Sequence, residues 1–498
     1  MKITTVAEFE EYVIRLEPEE RERLEAFFSE FNLHCSMSFV EKTALRQDFE
    51  RALLYYAQNG VSLDDALELL AMRNLGGFYA RPPLLWFPLD DAAKIYPFSM
   101  EHGKMAVFRL STYLKKDVVP ELLQMALDFT IKRFPSFATT LKKGFFWHYL
   151  DTTKRRFSVE EEHLPPCMPL HVGRSGSQSF RVIYWKNRIS VECFHVLTDG
   201  TGGLEFLKAL IAEYLRLCGV EIPESEYIAD VNKTPDTEEM ENAFAKVPHA
   251  AEASGFAGKP AVQMSGKLSK CKPCRVFHFR LDATALAEAA RRHGATVTAY
   301  VMAMMFVAEK AATDAVKGEA VFQVPVNMRK FYPSKTVRNF ALYCGIRMPF
   351  KDITDVDAIL PAIDAQLKEK ASKEAMSSML TAAERLVNSL AIVPLVIKFP
   401  VAHMVYGFLG DRMFSNIMSN LGVVKMPKEM EEHIESMDAV LGTVSISRAA
   451  CTMVSACNVA TLTIAKLTMD PTFEGKMLEL FQKEGLEVKV EGSEIYED

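Results

Sequence analysis

The stretch SFRVIYWKNRISVECFHVLTDGTGG, residues 179–203, decides how this chain reads. Residues 179–185 and 189–195 are dense in β-branched and aromatic side chains, with the polar Lys186-Asn187-Arg188 between them. That is the pattern of a β-hairpin. Its second strand ends on His195 and runs straight into Val196-Leu-Thr-Asp199-Gly200-Thr-Gly-Gly203. Apolar residues then recur at 204, 207, 210, 211, 214 and 215, so an amphipathic helix spans Leu204 to Leu217. A strand-to-helix turn can hold a side chain rigidly at the edge of a cleft.

The residues at that turn suit acid–base chemistry. A neutral imidazole takes a proton from an attacking hydroxyl or amine near pH 7, which contributes about 10² to 10⁴ in rate. An Asp four residues on can fix the loop by pairing with a cation or by accepting backbone N–H groups. Gly200 permits backbone conformations that other residues resist. In a chain of this composition chance supplies about half of one His-x-x-x-Asp, but only ~0.02 once Gly must follow. The bland alternative is a core histidine followed by an ordinary helix cap.

Away from the hairpin the chain falls into two similar α/β halves. Residues 1 to about 85 read as a helical extension. Thr5 and Glu8 have capping-box spacing, and Ser62 with Asp64 and Asp65 marks a second helix start. From 86 to 225 comes a first lobe, with a strand over 105–114 and a helix from Asp117 to Phe134 that ends before Pro135. Residues 226–270 are polar and Pro- and Gly-bearing, and read as a linker or crossover. A second lobe, 271–498, opens with a strand near 275, a helix Ala283–Arg292 capped by Asp282, and an all-apolar helix over 296–308. Strands follow at 321–329, Gly442–Ala449 and Ala460–Leu467, and a helix at Phe473–Glu484.

Composition narrows the classes. A chain of 498 residues, 49% hydrophobic and 25% charged, buries its own core and is neither disordered nor fibrous. A net charge of −7 gives no case for wrapping a nucleic acid, though it leaves room for a local basic pocket for a phosphorylated small molecule. Nine scattered cysteines read as reduced thiols of a cytoplasmic protein. The Glu-rich start lacks the apolar core of a signal peptide. The most apolar run, Leu390–Leu409, contains Pro394, Lys398 and Pro400, which disfavours a membrane span; a buried or groove-lining segment is expected, with membrane contact as the alternative.

His195-x-x-x-Asp199-Gly200 after a hairpin resembles the active-site signature of the CoA-dependent acyltransferase superfamily. That group includes chloramphenicol acetyltransferase, plant BAHD acyltransferases, alcohol acetyltransferases and the condensation domains of nonribosomal peptide synthetases. Val324-Pro-Val-Asn-Met-Arg329 with Thr336-Val-Arg-Asn339-Phe340 looks like the Arg- and Asn-bearing segment of the second lobe in such enzymes. Ser419-Asn420-Leu421-Gly422 and the stretch FPLDDAAKIYP (87–97) are similar to segments of the alcohol acetyltransferase-like branch. The resemblance covers about 90–498 and leaves the first 80 residues unexplained.

The resemblance implies a chloramphenicol acetyltransferase-like α/β fold of two lobes with a substrate tunnel between them. His195 would be the general base, and Asp199 a structural residue paired with Arg329. Gly200 and Asn339 would support them, and Ser419, Asn420 and Gly422 would serve the oxyanion or acyl group. The implied reaction moves an acyl group, acetyl first, from acyl-CoA to the hydroxyl or amine of a small molecule, with no bound cofactor or metal. One chain can form such a site, so a monomer suffices. The alternatives are a carrier-protein thioester as donor, as in polyketide or peptide biosynthesis, and a catalytically silent binding protein. The plant enzymes' Asp-Phe-Gly-Trp-Gly motif is absent. Phe194 stands where condensation domains double the His, which favours a small-molecule acceptor over peptide condensation.

Other motifs are weaker. Cys271-x-x-Cys274 with His278 is short of the four ligands of a structural zinc. Gly200-Thr-Gly-Gly203 lacks the Lys of a phosphate-binding loop and reads as flexibility beside His195. No Gly-x-Ser-x-Gly elbow occurs. Met302, Met304 and Met305 read as adaptable core.

Overall fold

The computed structural model describes residues 6–34, 37–71, 86–100, 105–152, 156–173, 176–251, 259–271, 273–398, 413–442 and 448–496. Four helices come first: α1 (Ala7–Arg15), α2 (Pro18–His34), α3 (Phe39–Gln58) and α4 (Leu63–Leu69). Ser38 and Ser62 cap α3 and α4, accepting the N–H of Glu41 and Asp65 at 3.4 and 3.1 Å. Thr5 lies outside the described residues, and Val6 stands at the N-cap of α1 without a side-chain cap bond. These helices share the first lobe's core. The Phe49 ring meets Phe129 edge-on, Tyr56 donates to the Leu217 carbonyl at 2.8 Å, and Arg156 holds buried Asp48 at 2.8 Å.

The first half then supplies β1 (Trp86–Pro88), β2 (Val107–Leu114), β3 (Thr139–Lys143), β4 (His148–Thr152), β5 (Val159–Glu161), β6 (Val172–Gly173), β7 (Gly176–Gln178), β8 (Phe180–Trp185) and β9 (Arg188–Phe194). The second half supplies β10 (Arg275–Asp282), β11 (Glu319–Asn327), β12 (Ala341–Pro349), β13 (Asn416–Val423), β14 (Ile434–Leu441), β15 (Ala449–Ala456), β16 (Val459–Lys466) and β17 (Lys489–Gly492). One five-stranded sheet runs β1-β4-β3-β7-β6 and another β14-β2-β9-β8-β5. A seven-stranded sheet, β12-β11-β13-β15-β16-β10-β17, is the heart of the second lobe.

The hairpin β8–β9 turns on Lys186 and Asn187, and Lys186 takes φ +50°. Helices α5 (Pro120–Thr130) and α6 (Gly200–Leu217) belong to the same core, where Phe137 stacks on Phe206 at 4.4 Å. A 3₁₀ turn, Ile131–Arg133, completes the helix expected up to Phe134. The helix expected from Leu204 begins four residues earlier, because Asp199 caps it.

In the second lobe Asp282 caps α7 (Ala283–Arg292), accepting the Ala285 N–H at 2.8 Å. The all-apolar segment is α8 (Val297–Ala311), buried with Phe306 stacked on Phe322 at 4.0 Å.

Most of the strand expected at Gly442–Ala449 lies outside the described residues, at 443–447, and strands lie on either side, β14 and β15. β14 leaves its own half and pairs with β2, from Ile434 opposite Leu114 to Leu441 opposite Phe108. It is buried on both faces, Asp438 included, so its sequence lacks the alternation that marks a half-exposed strand.

The segment expected as a linker acts as a clamp. It forms two single 3₁₀ turns, Thr237–Met240 and Ala243–Lys246. Arg133 of the first lobe grips Glu239, whose carbonyl accepts the Val337 N–H of the second at 2.9 Å. Phe244 is fully buried against Phe340.

The described part of the apolar run from Leu390, expected buried or groove-lining, is exposed at several positions. Leu395 is buried, but Ile392, Val396 and Ile397 are 84%, 85% and 63% exposed. Residues 399–409 of that run lie outside the described residues. Among the described residues no helix is long and apolar enough to cross a membrane.

Candidate active site

His195 is held by its backbone before its side chain is considered. Its N–H donates to the Ala106 carbonyl at 2.9 Å, and its carbonyl accepts the Asn339 amide at 3.0 Å from the second lobe. The imidazole is half-buried between lobes and framed by aromatic rings. Tyr96 stacks on it at 4.8 Å and 16°, and Phe108 stands 4.7 Å away, tilted by 49°. Nδ1 is buried without a hydrogen-bond partner. Burial pushes the imidazole pKa down to about 4, while the charge of Asp199 and the backbone at Thr198 pull it up. His195 is therefore neutral at pH 7.

Asp199 faces away from the imidazole. One oxygen accepts the Gly202 N–H at 2.9 Å, as the cap of α6. The other accepts Arg329 Nη1 at 2.7 Å and the Phe340 N–H at 2.7 Å. Arg329 also donates to the carbonyls of Thr336 and Arg338, at 2.9 and 2.8 Å. Thr198 donates to the Val337 carbonyl at 2.6 Å, and Asn327 to the Thr201 hydroxyl at 3.1 Å. The turn after His195 is thus bolted to the loop 327–340 of the other lobe.

The glycines serve this closeness rather than flexibility, which corrects the sequence reading. A Cβ on Gly202 would lie 2.0 Å from the Val337 carbonyl oxygen and 2.3 Å from the Thr198 hydroxyl. One on Gly200 would lie 2.5 Å from Leu421 Cδ2. That contact brings the 419–422 segment of β13 beside the turn. Ser419 is half-buried there. Asn420 is already engaged, donating to the Thr298 hydroxyl at 2.9 Å and accepting the Gly422 N–H at 2.8 Å. Gly422 takes φ +78° at a bulge in the strand, a conformation that suits glycine.

Two rings that frame the imidazole, Tyr96 and Phe108, escaped the sequence reading. Tyr96 lies in the 3₁₀ turn Ala93–Ser99, within the quoted 87–97 stretch. That strap is tied to the second lobe by a buried Arg338–Asp90 ion pair at 2.9 Å, and Arg338 also donates to the Pro88 carbonyl at 2.5 Å. Cys274 and His278 turn to different partners. Cys274 Sγ contacts the Thr468 carbonyl, and His278 Nδ1 pairs with the Thr463 hydroxyl at 3.0 Å. Among the described residues no cluster of three or more His, Cys, Asp or Glu could hold a metal ion.

No family model matches the chain, and no curated protein matches it in sequence. Solved structures do match its shape. TRI101 of Fusarium graminearum, complexed with ethyl coenzyme A, superimposes with a TM-score of 0.56 at 10% identity, covering 82% of this chain and 100% of that one. The trichothecene 15-O-acetyltransferase TRI3 of Fusarium sporotrichioides gives 0.53 at 10% identity, over 80% and 94% of the two chains. Polyketide synthase associated protein 5 of Mycobacterium tuberculosis gives 0.52 at 15% identity, over 80% and 96%.

The chain has the fold of the CoA-dependent acyltransferases. The acyltransferase fold is present whole, since these matches span 94% or more of each neighbour. In it His195 stands at the junction of the two lobes.

Proposed function

We propose that this chain transfers an acyl group from acyl-CoA to the hydroxyl or amine of a small molecule, with His195 as the general base. The observation that carries the reading is the neutral, half-buried imidazole at the lobe junction, fixed by ring stacking and by backbone bonds from both lobes. With Nδ1 buried, Nε2 is the nitrogen left to take the acceptor's proton. The acceptor oxygen or nitrogen then attacks the thioester carbonyl. The tetrahedral intermediate collapses by breaking the C–S bond, and the imidazolium returns the proton to the leaving thiolate. A histidine whose pKa lies near 4 gives up that proton readily.

Asp199 and Arg329 are positioning residues in this scheme. They hold the turn, and Asn339 holds the His195 carbonyl. Ser419 is the candidate donor to the developing oxyanion, because Asn420 is bonded within its own lobe. Free acyl-CoA as donor is supported by TRI101, whose structure holds ethyl coenzyme A on the same fold. A carrier-protein thioester is the second reading, favoured by the likeness to polyketide synthase associated protein 5.

The test is thiol release from acetyl-CoA and longer acyl-CoAs with a panel of alcohols and amines, on wild type and His195→Ala together. Acceptor-dependent release that disappears in the variant supports the reading. Release unchanged in the variant overturns the role of His195. No release with any CoA donor in folded protein moves the donor to a carrier protein or leaves a binding protein.

A further inference from the structure

Trp147, at the tip of the β3–β4 hairpin, gathers three segments that are distant in sequence. Lys94 of the strap lies 5.8 Å over its ring and Lys398 3.4 Å. Lys398 also donates to the Phe146 carbonyl at 2.9 Å, and the Leu395 N–H to that of Phe145 at 2.9 Å. Strap, hairpin tip and segment 390–398 therefore form one surface. On it Ile95, Phe145, Phe146, Ile392, Val396 and Ile397 are all exposed, Val396 at 85% and Phe145 at 72%. Soluble surfaces scatter single apolar residues, and a contiguous cluster of this kind marks an interaction site.

The charges of the surface say what it suits. The hairpin tip reads Lys142-Lys-Gly-Phe-Phe-Trp147, cations directly beside exposed rings. Across the three segments Lys94, Lys142, Lys143 and Lys398 outnumber Asp91 and Asp151, which pair with Lys94 and Lys142; Asp90 is paired with Arg338, and Lys398 is buried against the Trp147 ring. The patch is locally cationic on a chain of net charge −7. A second copy seated on it would set lysines against lysines, whereas an anionic surface would complement them. Aromatic and aliphatic side chains flanked by Lys are the composition that settles at a headgroup boundary.

We propose that this surface docks on a lipid bilayer bearing anionic headgroups, with the Phe145–Phe146 tip and the 392–397 segment entering the interface. No step of this depends on acyl transfer.

The test is co-sedimentation of the full chain with vesicles of phosphatidylcholine, alone or with about a third phosphatidylserine. The expected result is binding to the mixed vesicles that weakens with added salt. It should fall roughly tenfold or more in Phe145→Ser/Phe146→Ser and in Lys142→Glu/Lys143→Glu, each checked for an unchanged melting temperature. Should either pair fail to fold, Val396→Ser/Ile397→Ser repeats the measurement from the other segment. Wild type left in the supernatant with both vesicle types overturns the proposal, as do variants that bind like wild type. A dimer in sedimentation velocity that Phe145→Ser/Phe146→Ser makes monomeric also overturns it, and assigns the surface to a second copy.

Discussion

The Asp199 carboxylate is bonded to Arg329 at 2.7 Å across the lobe junction, and not to His195 four residues upstream. Both members of the pair are largely buried, and Asp199 also satisfies the N–H groups of Gly202 and Phe340. Removing one partner of a buried pair leaves an uncompensated charge, typically at a cost of about 3–5 kcal/mol. Arg329→Met should therefore lower stability by about that much in a denaturant titration. Asp199→Ala should do the same, and the double variant should cost less than the sum, because the two changes share one interaction. Additive losses would show that the pair is not coupled. Asp199→Ala should not move the acid limb of activity upward, since the Asp199 charge raises the His195 pKa and its loss can only lower it.

The pH profile is the second expectation. Burial lowers the His195 pKa from 6.5 to about 4, so the base is already neutral at pH 6. The acid limb of kcat/KM should fall well below pH 6, where an ordinary histidine would set it. Tyr96→Ala opens one face of the ring to water and should move that limb up toward 6.5 and lower kcat more than it raises KM. Tyr96→Phe keeps the stack and should keep the profile. The His195 Cε1–H shift in a proton NMR titration reads the same pKa without turnover. An unshifted titration in Tyr96→Ala would deny the ring this role. The linkage sign follows. As pH drops below 6.5 the unfolded chain binds this proton first, so the buried neutral His195 makes the fold less stable toward acid.

The sequence made some of this legible and hid the rest for physical reasons. The hairpin, His195 and α6 could be read because β-branched and aromatic residues flank a polar turn and an amphipathic helix repeats every three to four residues. The partnership of Asp199 with Arg329 came only from family resemblance, since 130 residues separate them. Tyr96 left no mark, because an aromatic residue stacked on a histidine looks like any core aromatic. β14 was missed because Ile434–Leu441 holds two β-branched residues and no aromatic, and Ile392, Val396 and Ile397 were expected buried or lining a groove because hydropathy alone cannot place a residue. The glycines were misread as hinges, because what presses on Gly202 is a backbone 135 positions away.

That contact gives a third expectation. Gly202→Ala puts a Cβ 2.0 Å from the Val337 carbonyl, an atom that cannot rotate away. The lobes must part or the α6 cap must break, at a cost of about 1–3 kcal/mol or more. Gly475→Ala is the control, because its Cβ meets nothing within 4 Å, and in the helix Thr472–Lys483 it should stabilise by up to about 1 kcal/mol. Thermal melts of both variants check the pair of signs. Equal melting temperatures for the two would refute the close-approach account.

A fourth expectation comes from a histidine outside the site. His293, after the end of α7, donates Nδ1 to Asp357 at 2.5 Å and Nε2 to Glu484 at 2.8 Å when protonated, joining two further helices of the second lobe. Its hydrogen bond to Glu484 raises its pKa above 6.5 against the opposing effect of burial, with the hydrogen bond to Asp357 adding to the rise. A raised histidine pKa means that the folded state holds the proton more tightly. The stability it adds is fully present below pH 6.5 and disappears as pH climbs through the folded pKa. His293→Gln should therefore melt lower than wild type at pH 6 and approach it as pH rises through the raised folded pKa, once wild-type His293 is also neutral. A melting gap independent of pH would assign the difference to packing against Tyr300, on which the imidazole stacks at 5.0 Å, instead of to charge.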